Sequence, residues 1–160
     1  MLGRIIISLD FPTSAPRSAV WAALEAAPLW PDVQPDLAEA RIDPDGVLAP
    51  GATIRTRAKP GTRAVDMTYR VLEAEKPRRL AIETAVALHF RARTEYLIEA
   101  DGEGARVILT SRIDPVHWLH KITTALERRW YTEQMTNNLK ARIRPLLMLA
   151  ERMAFTEPAR

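Results

Sequence analysis

His117 and His120 stand three positions apart, the spacing at which a helix brings two imidazoles to one side, where they could share a metal ion. No further ligand accompanies them: His89 falls on the polar side of an alternating segment, and Asp114 precedes a proline. The pair therefore reads as two partly exposed histidines at a helix start, and no metal is expected. Hydrolysis by paired carboxylates needs two acids turned toward one space. Glu73, Glu83, Glu95 and Glu99 instead occupy outward positions of their segments. Ser8 and Ser111 have no histidine in a recognisable motif, so a nucleophilic triad is not supported. Neither a phosphate-cradling glycine loop nor a dinucleotide fingerprint occurs. The absence of cysteine excludes thiol catalysis, a thiolate zinc site and a disulfide framework. The remaining polar candidates are hydroxyls and arginines. Thr94, Tyr69 and Tyr96 fall at inward positions, where a hydroxyl needs a partner that a ligand, a pocket water or a backbone carbonyl supplies. Arg55, Arg57, Arg70, Arg91 and Arg93 share those strands but alternate outward.

These directions depend on the elements that carry the residues. Arg4 to Phe11 alternates as a strand with one buried face and ends at Pro12. Thr13 or Ser14 then caps a helix with Pro16 in its first turn, an apolar stripe of Val20, Trp21, Leu24 and Ala27, and a stop at Pro28. The proline-punctuated stretch that follows holds at most one short helix around Asp32, with Trp30 just before it. Ala38 to Ile42 is a short strand closed by a D-P-D-G turn. Segments 52–59, 65–75, 79–86, 88–99 and 105–114 alternate with turn residues between them, which predicts consecutive antiparallel strands. The inward set includes Val65, Met67, Tyr69 and Val71, then Leu80, Ile82, Thr84 and Val86, then Leu88, Phe90 and Ala92.

Beyond Pro115 the apolar residues form two stripes: Leu119, Ile122, Leu126 and Trp130 on one side, and Met135, Leu139, Ile143, Leu146 and Ala150 on another. One unbroken helix over 116–155 would be about 60 Å long, too long for a chain of this size. The pattern predicts a helix near 116–126, a break, and a main helix over 127–152 that Pro145 kinks or ends. Arg128, Lys140 and Arg144 are expected in solvent or at a rim.

The 160-residue chain is 47% apolar and 27% charged, an ordinary globular composition. Its net charge of +3 is uneven: residues 1–110 carry 14 basic and 15 acidic groups (−1), and residues 111–160 carry 9 and 5 (+4). A basic helix face can attract nucleic acid or anionic lipid, but the plainer reading is a solvated surface. The arginines are dispersed and lack interleaved aromatics, so nucleic acid is not an expected partner. No signal peptide, transmembrane segment, repeat or low-complexity tract is read from the sequence, and the cytoplasm is the expected compartment.

The order strand, helix pair, six strands, long helix resembles the START-like or SRPBCC superfamily, the helix-grip fold, and most nearly its polyketide cyclase/dehydrase and lipid-transport branch. The residues carrying the resemblance are I-S-L-D-F-P-T-S-A-P-R-S-A-V-W-A-A-L-E at 6–25, P-L-W-P-D-V at 28–33, L-A-P-G-A-T-I-R-T-R at 48–57, Y-R-V-L-E-A-E-K-P-R-R-L at 69–80 and the hairpin R-T-E-Y-L-I-E-A-D-G-E-G-A-R-V-I-L-T at 93–110. The resemblance implies an α+β fold: a curved antiparallel sheet of about six or seven strands wrapped around a long C-terminal helix, with two short helices after the first strand. A single domain would span 1–155, with a tail at 156–160. It further implies a hydrophobic cavity between sheet and helix. Its walls would be Trp30, Ile54, Met67, Tyr69, Ile82 and Phe90 from the first two thirds of the chain, and Thr94, Tyr96, Trp118, Trp130, Tyr131 and Met135 from the last. The expected ligand is a small hydrophobic or amphipathic molecule, lipid or polyketide-like, bound without a cofactor by a monomer or homodimer. One alternative is a cyclase or dehydratase using the same cavity; another is an interaction module with a filled core. Cyclases of the family are thought to polarise a carbonyl with an inward basic or tyrosine group. The outward direction of the five strand arginines departs from that pattern.

Overall fold

Strands that are apolar on every second residue can bury only one face, and must find a cover for it. A computed structural model describes residues 2–86 and 89–156, with the side chains of Ala85 and Val86 left aside. It runs β1 (Ile5–Thr13), α1 (Arg17–Glu25), a 3-10 turn (Ala27–Leu29), α2 (Trp30–Val33), β2 (Leu37–Asp43), β3 (Thr53–Ala58), β4 (Met67–Glu75), β5 (Arg79–Val86), β6 (Phe90–Asp101), β7 (Gly104–Pro115), α3 (Trp118–Leu126) and α4 (Arg128–Thr156). The seven strands form one antiparallel sheet in the order β1-β7-β6-β5-β4-β3-β2. The chain thus meanders from β2 to β7, and β1 closes the sheet beside β7. Expected Leu88, the inward direction of Val86 and the tail beyond residue 156 lie outside the described residues.

Register fixes the faces. Ile54 lies opposite Tyr69, Tyr69 opposite Thr84, and Thr84 opposite Ala92. A neighbouring inner row joins Leu80, Tyr96 and Leu109. The outer rows carry the arginines and acids in alternation. Arg55 reaches Asp43 at 3.1 Å, Arg57 Glu39 at 3.1 Å, Arg70 Glu83 at 3.5 Å, Arg91 Glu83 at 3.6 Å and Arg93 Glu73 at 3.9 Å. Pairs this exposed contribute about 0–1 kcal/mol each. Their larger effect is on register, because a one-residue slip would bury them.

α4 packs along the inner face through Ile143, Leu146, Leu147, Leu149 and Ala150. With α1, Trp30 and the β2–β5 side of the sheet they form the larger core cluster. A smaller cluster of Ile5, Ile7, Ala92 and Ile113 fills the other end under Phe90, Tyr131 and Met135, and Leu139 touches both.

Four expectations change. The α1 N-cap is Pro16, with no side-chain cap. Thr13 still finishes β1, its hydroxyl donating to Glu151 and accepting from the Ala15 amide. Val65 lies outside β4 and is exposed, because strand pairing with β3 begins only at Met67. β4 bulges between Val71 and Glu73, so its strict alternation stops there. Pro145 does not end α4, which continues to Thr156. A proline inside a helix removes one hydrogen bond, here the one to the Ala141 carbonyl, and the buried residues on both sides hold the axis through the gap.

This packing gives a stability contrast. Ile143→Ala, at a position only 2% exposed, should lower the urea-unfolding free energy by about 2–5 kcal/mol. Leu139→Ala, at a half-buried position, should cost less, and Trp118→Ala should stay within about 0.5 kcal/mol. A larger loss at Trp118 than at Ile143 would mean that the faces of the two helices are reversed.

Candidate functional site

Between α4 and the inner face of the sheet lies a cavity of about 470 Å³, within the roughly 300–1,000 Å³ usual for small-molecule sites. Its floor is apolar: Ile54, Met67, Leu80, Ile82 and Leu109 from the strands, with Leu24 of α1 behind them. Leu139 and Leu146 of α4 form the roof. Trp30 closes one end, its ring fixed by a 2.9 Å hydrogen bond from the indole Nε1 to the Ala23 carbonyl. This gives the large ring in the proline-braced turn a definite structural place. Asp36, Arg63, Val65, Asn138 and Arg142 line the cavity and are exposed, so they mark its mouth.

Two polar groups of the wall are bonded to each other. Arg142 Nη1 donates to the Tyr69 hydroxyl oxygen at 3.0 Å. Burial raises the Tyr69 pKa, and the Arg142 charge partly offsets that rise. Tyr96 is pushed up to about 12, chiefly by burial and then by Tyr69, with Arg142 again opposing. Both phenols are therefore neutral hydrogen-bonding groups near pH 7. Deeper in, Thr94 and Ser111 hydroxyls share a 3.1 Å hydrogen bond, and Thr84 donates to the Thr68 carbonyl at 2.8 Å. The arrangement offers an apolar bed with a guanidinium and phenols at its edge. It can hold an oxygen atom of an otherwise apolar molecule.

Of the twelve wall positions expected from the sequence, Trp30, Ile54, Met67, Tyr69, Ile82, Thr94 and Tyr96 line this cavity. Phe90, Tyr131 and Met135 do not. They close over the smaller apolar cluster, where Phe90 and Tyr131 rings lie 6.0 Å apart and fill the space. Trp118 and Trp130 point away, 70% and 55% exposed. Trp118 shares the outward side of α3 with Leu119, Ile122 and Leu126, and Trp130 lies roughly 180° round α4 from the Leu139, Ile143 and Leu146 stripe, so both rings face solvent.

Arg142, Asn138 and Ala141 escaped the sequence reading. They carry no apolar signal of their own. At 138, 141, 142 and 145 they nevertheless follow helical spacing along the flank of the Leu139, Ile143 and Leu146 stripe. A polar residue repeating beside a core stripe is the mark of a helix edge over a mouth. Arg63 and the 34–37 loop residues sit in connections, where period carries no information.

The histidines do meet. The His89 and His120 rings lie 4.5 Å apart, and His117 lies 6.3 Å from His120. Among the described residues, no group of three His, Cys, Asp or Glu side chains could hold a metal.

Known proteins share this architecture. The sequence profile of the family described as polyketide cyclase/dehydrase and lipid transport matches residues 5–144. No curated protein matches the chain in sequence. Among solved structures, Ara h 8.0201 is similar at a TM-score of 0.70 and 10% identity, over 96% of this chain and 99% of that one. Norcoclaurine synthase from Thalictrum flavum, in complex with dopamine and hydroxybenzaldehyde, is similar at 0.68 and 12%, over 98% and 90%. The di-domain ARO/CYC StfQ from the steffimycin biosynthetic pathway is similar at 0.71 and 15%, over 94% of this chain and 50% of its own.

The phenols give a pH test. The raised Tyr96 pKa supports the fold fully below about pH 10, the ordinary phenol value, and that support is lost as pH climbs toward about 12. An ultraviolet titration should show a tyrosinate step near pH 12 that Tyr96→Phe removes. The variant's unfolding midpoint should also fall less steeply over that interval. Loss of a step at about pH 10 in the variant would instead place the Tyr96 hydroxyl in water.

Proposed function

The chain belongs to the polyketide cyclase/dehydrase and lipid-transport family, and from that membership we propose that it binds one small amphipathic molecule between sheet and helix, with the apolar body on the strand floor and an oxygen at Tyr69 and Arg142. The observation that carries the reading is a cavity of about 470 Å³ lined mainly by apolar side chains, with the Arg142–Tyr69 hydrogen bond on its wall. A cavity of that volume argues against a filled-core interaction module. A small molecule is favoured over nucleic acid because the exposed strand arginines are paired with acids. The Arg142 guanidinium favours an acid, a phenolate or a strongly polarised carbonyl over a hydrocarbon.

A second reading rests on the same pair. A guanidinium and a neutral phenol beside an apolar floor can stabilise the oxygen of an enolate, which is what a cyclisation or dehydration of a polyketide-like chain requires. Binding is common to both readings; turnover distinguishes them.

The test is a titration of the protein with a medium-chain fatty acid and its methyl ester, followed by quenching of Trp30 fluorescence. The acid should bind saturably. Arg142→Leu should weaken it by roughly tenfold, the scale of one charge-assisted hydrogen bond, and leave the ester almost unaffected. Ala141→Trp, at the mouth, should weaken both. Equal binding of acid and ester to the wild type would remove the role given to Arg142. No saturable binding of either would remove the site.

A further inference from the structure

α3 is built the wrong way round for a helix that serves only the core. Its inward side carries Thr124, 1% exposed, whose hydroxyl has no hydrogen-bond partner among the described residues. Its outward side carries Trp118 (70% exposed), Leu119, Ile122 and Leu126 (81% exposed), and Trp130 stands exposed on the first turn of α4. At 100° per residue the four α3 side chains fall within an arc of about 100°. A buried polar group and an exposed stripe of large apolar ones together reverse the usual distribution.

The surroundings of this stripe are basic. Lys121 flanks it, about 60° round the helix from Trp118, and Arg128 and Arg129 stand between Leu126 and Trp130 in sequence, with Glu127 the one acid in that stretch. The strand arginines are neutralised by acids 3.1–3.9 Å away. Among the described residues, Lys121, Arg128 and Arg129 form no ion pair of that kind. Residues 111–160 carry 9 basic and 5 acidic groups, the whole positive excess of the chain. Indole rings flanked by lysine and arginine match the boundary between lipid headgroups and acyl chains, where the ring lies in the apolar layer and the cation reaches the phosphates.

We propose that α3 and the first turn of α4 form a docking face for an anionic lipid surface. A protein groove would satisfy the apolar stripe, but it would not by itself account for two exposed tryptophans accompanied in sequence by three cations that form no ion pair among the described residues. No helix of the described residues is long and apolar enough to cross a membrane, so contact is peripheral. With only nine residues in α3, attachment is reversible and depends on the cations. Asn138, the first α4 residue on the cavity wall, lies about 12 Å along the helix axis from Trp130. Docking therefore brings the roof of the cavity close to the lipid surface. The face itself stands independently of what the cavity holds.

The experiment is co-sedimentation of the full chain with vesicles of phosphatidylcholine alone and of phosphatidylcholine mixed with phosphatidylserine. Binding is expected to the mixed vesicles at low salt, to be lost at high salt, and to be accompanied by a blue shift of tryptophan emission. That shift reports Trp118 and Trp130, since Trp21 and Trp30 are already buried. The double variant Trp118→Ser/Leu126→Ser and the charge reversal Arg128→Glu/Arg129→Glu should each weaken binding by roughly tenfold, with circular dichroism unchanged. Three results would overturn the proposal: no sedimentation with either vesicle, double-variant binding equal to wild type, or a solution dimer that the serine substitutions dissociate. The last would assign the face to a second copy of the chain.

Discussion

One helix has to cover seven strands. At about 4.8 Å between strands the sheet is roughly 29 Å across, and a helix with its side chains is about 10 Å wide. No single line of packing can close such a surface. The structure meets this limit with two apolar clusters under different parts of α4, joined at Leu139, and with α1 and Trp30 set against one flank. The cavity opens within the larger cluster, whose Trp30, Ile54, Leu80, Ile82 and Leu146 line it. It follows from the width of the sheet relative to its cover.

The same geometry sorts the arginines. On the wet face of the sheet Arg55, Arg57 and Arg70 each meet an acid across a neighbouring strand and are screened by water. Arg142 stands at the seam where helix and sheet part, so its side chain can reach over the mouth to Tyr69. Apolar surroundings strengthen a charge there and make phenol ionisation unfavourable. A residue of the same type thus acts as register lock in one place and as ligand group in another, and the difference lies entirely in which edge it occupies.

The strands were readable because a two-residue period leaves little choice of face. Alternation alone puts Tyr69, Ile82, Thr94 and Tyr96 inward, and the cavity lies over them. Error entered where the period changes. Val65 was extrapolated one pair beyond the start of β4. Trp118 and Trp130 are expected on the wall through the family resemblance, whereas the shift of stripe between Leu126 and Met135 signals a turn of the helix face. Phe90, Tyr131 and Met135 were placed inward and do lie inward; which inner residues fill space and which leave it open is a matter of three-dimensional volume, and no one-dimensional pattern encodes it. Arg142 could not be found from polarity, since an exposed arginine on a helix is ordinary. It acquires meaning only when Tyr69 is seen opposite.

Pro145 bears on how α4 behaves mechanically. The missing bond to the Ala141 carbonyl falls on the wall of the cavity, between the half of α4 anchored by Leu146, Leu149 and Ala150 and the half that carries Asn138 and Arg142. A rod with one tie absent is more compliant at that point than elsewhere. The joint is nevertheless seated from both sides, by Leu139 and Ile143 before it and by Leu146, Leu149 and Ala150 after it. What the proline leaves behind is an acceptor: the Ala141 carbonyl loses its i+4 amide on a stretch of helix that lines the cavity.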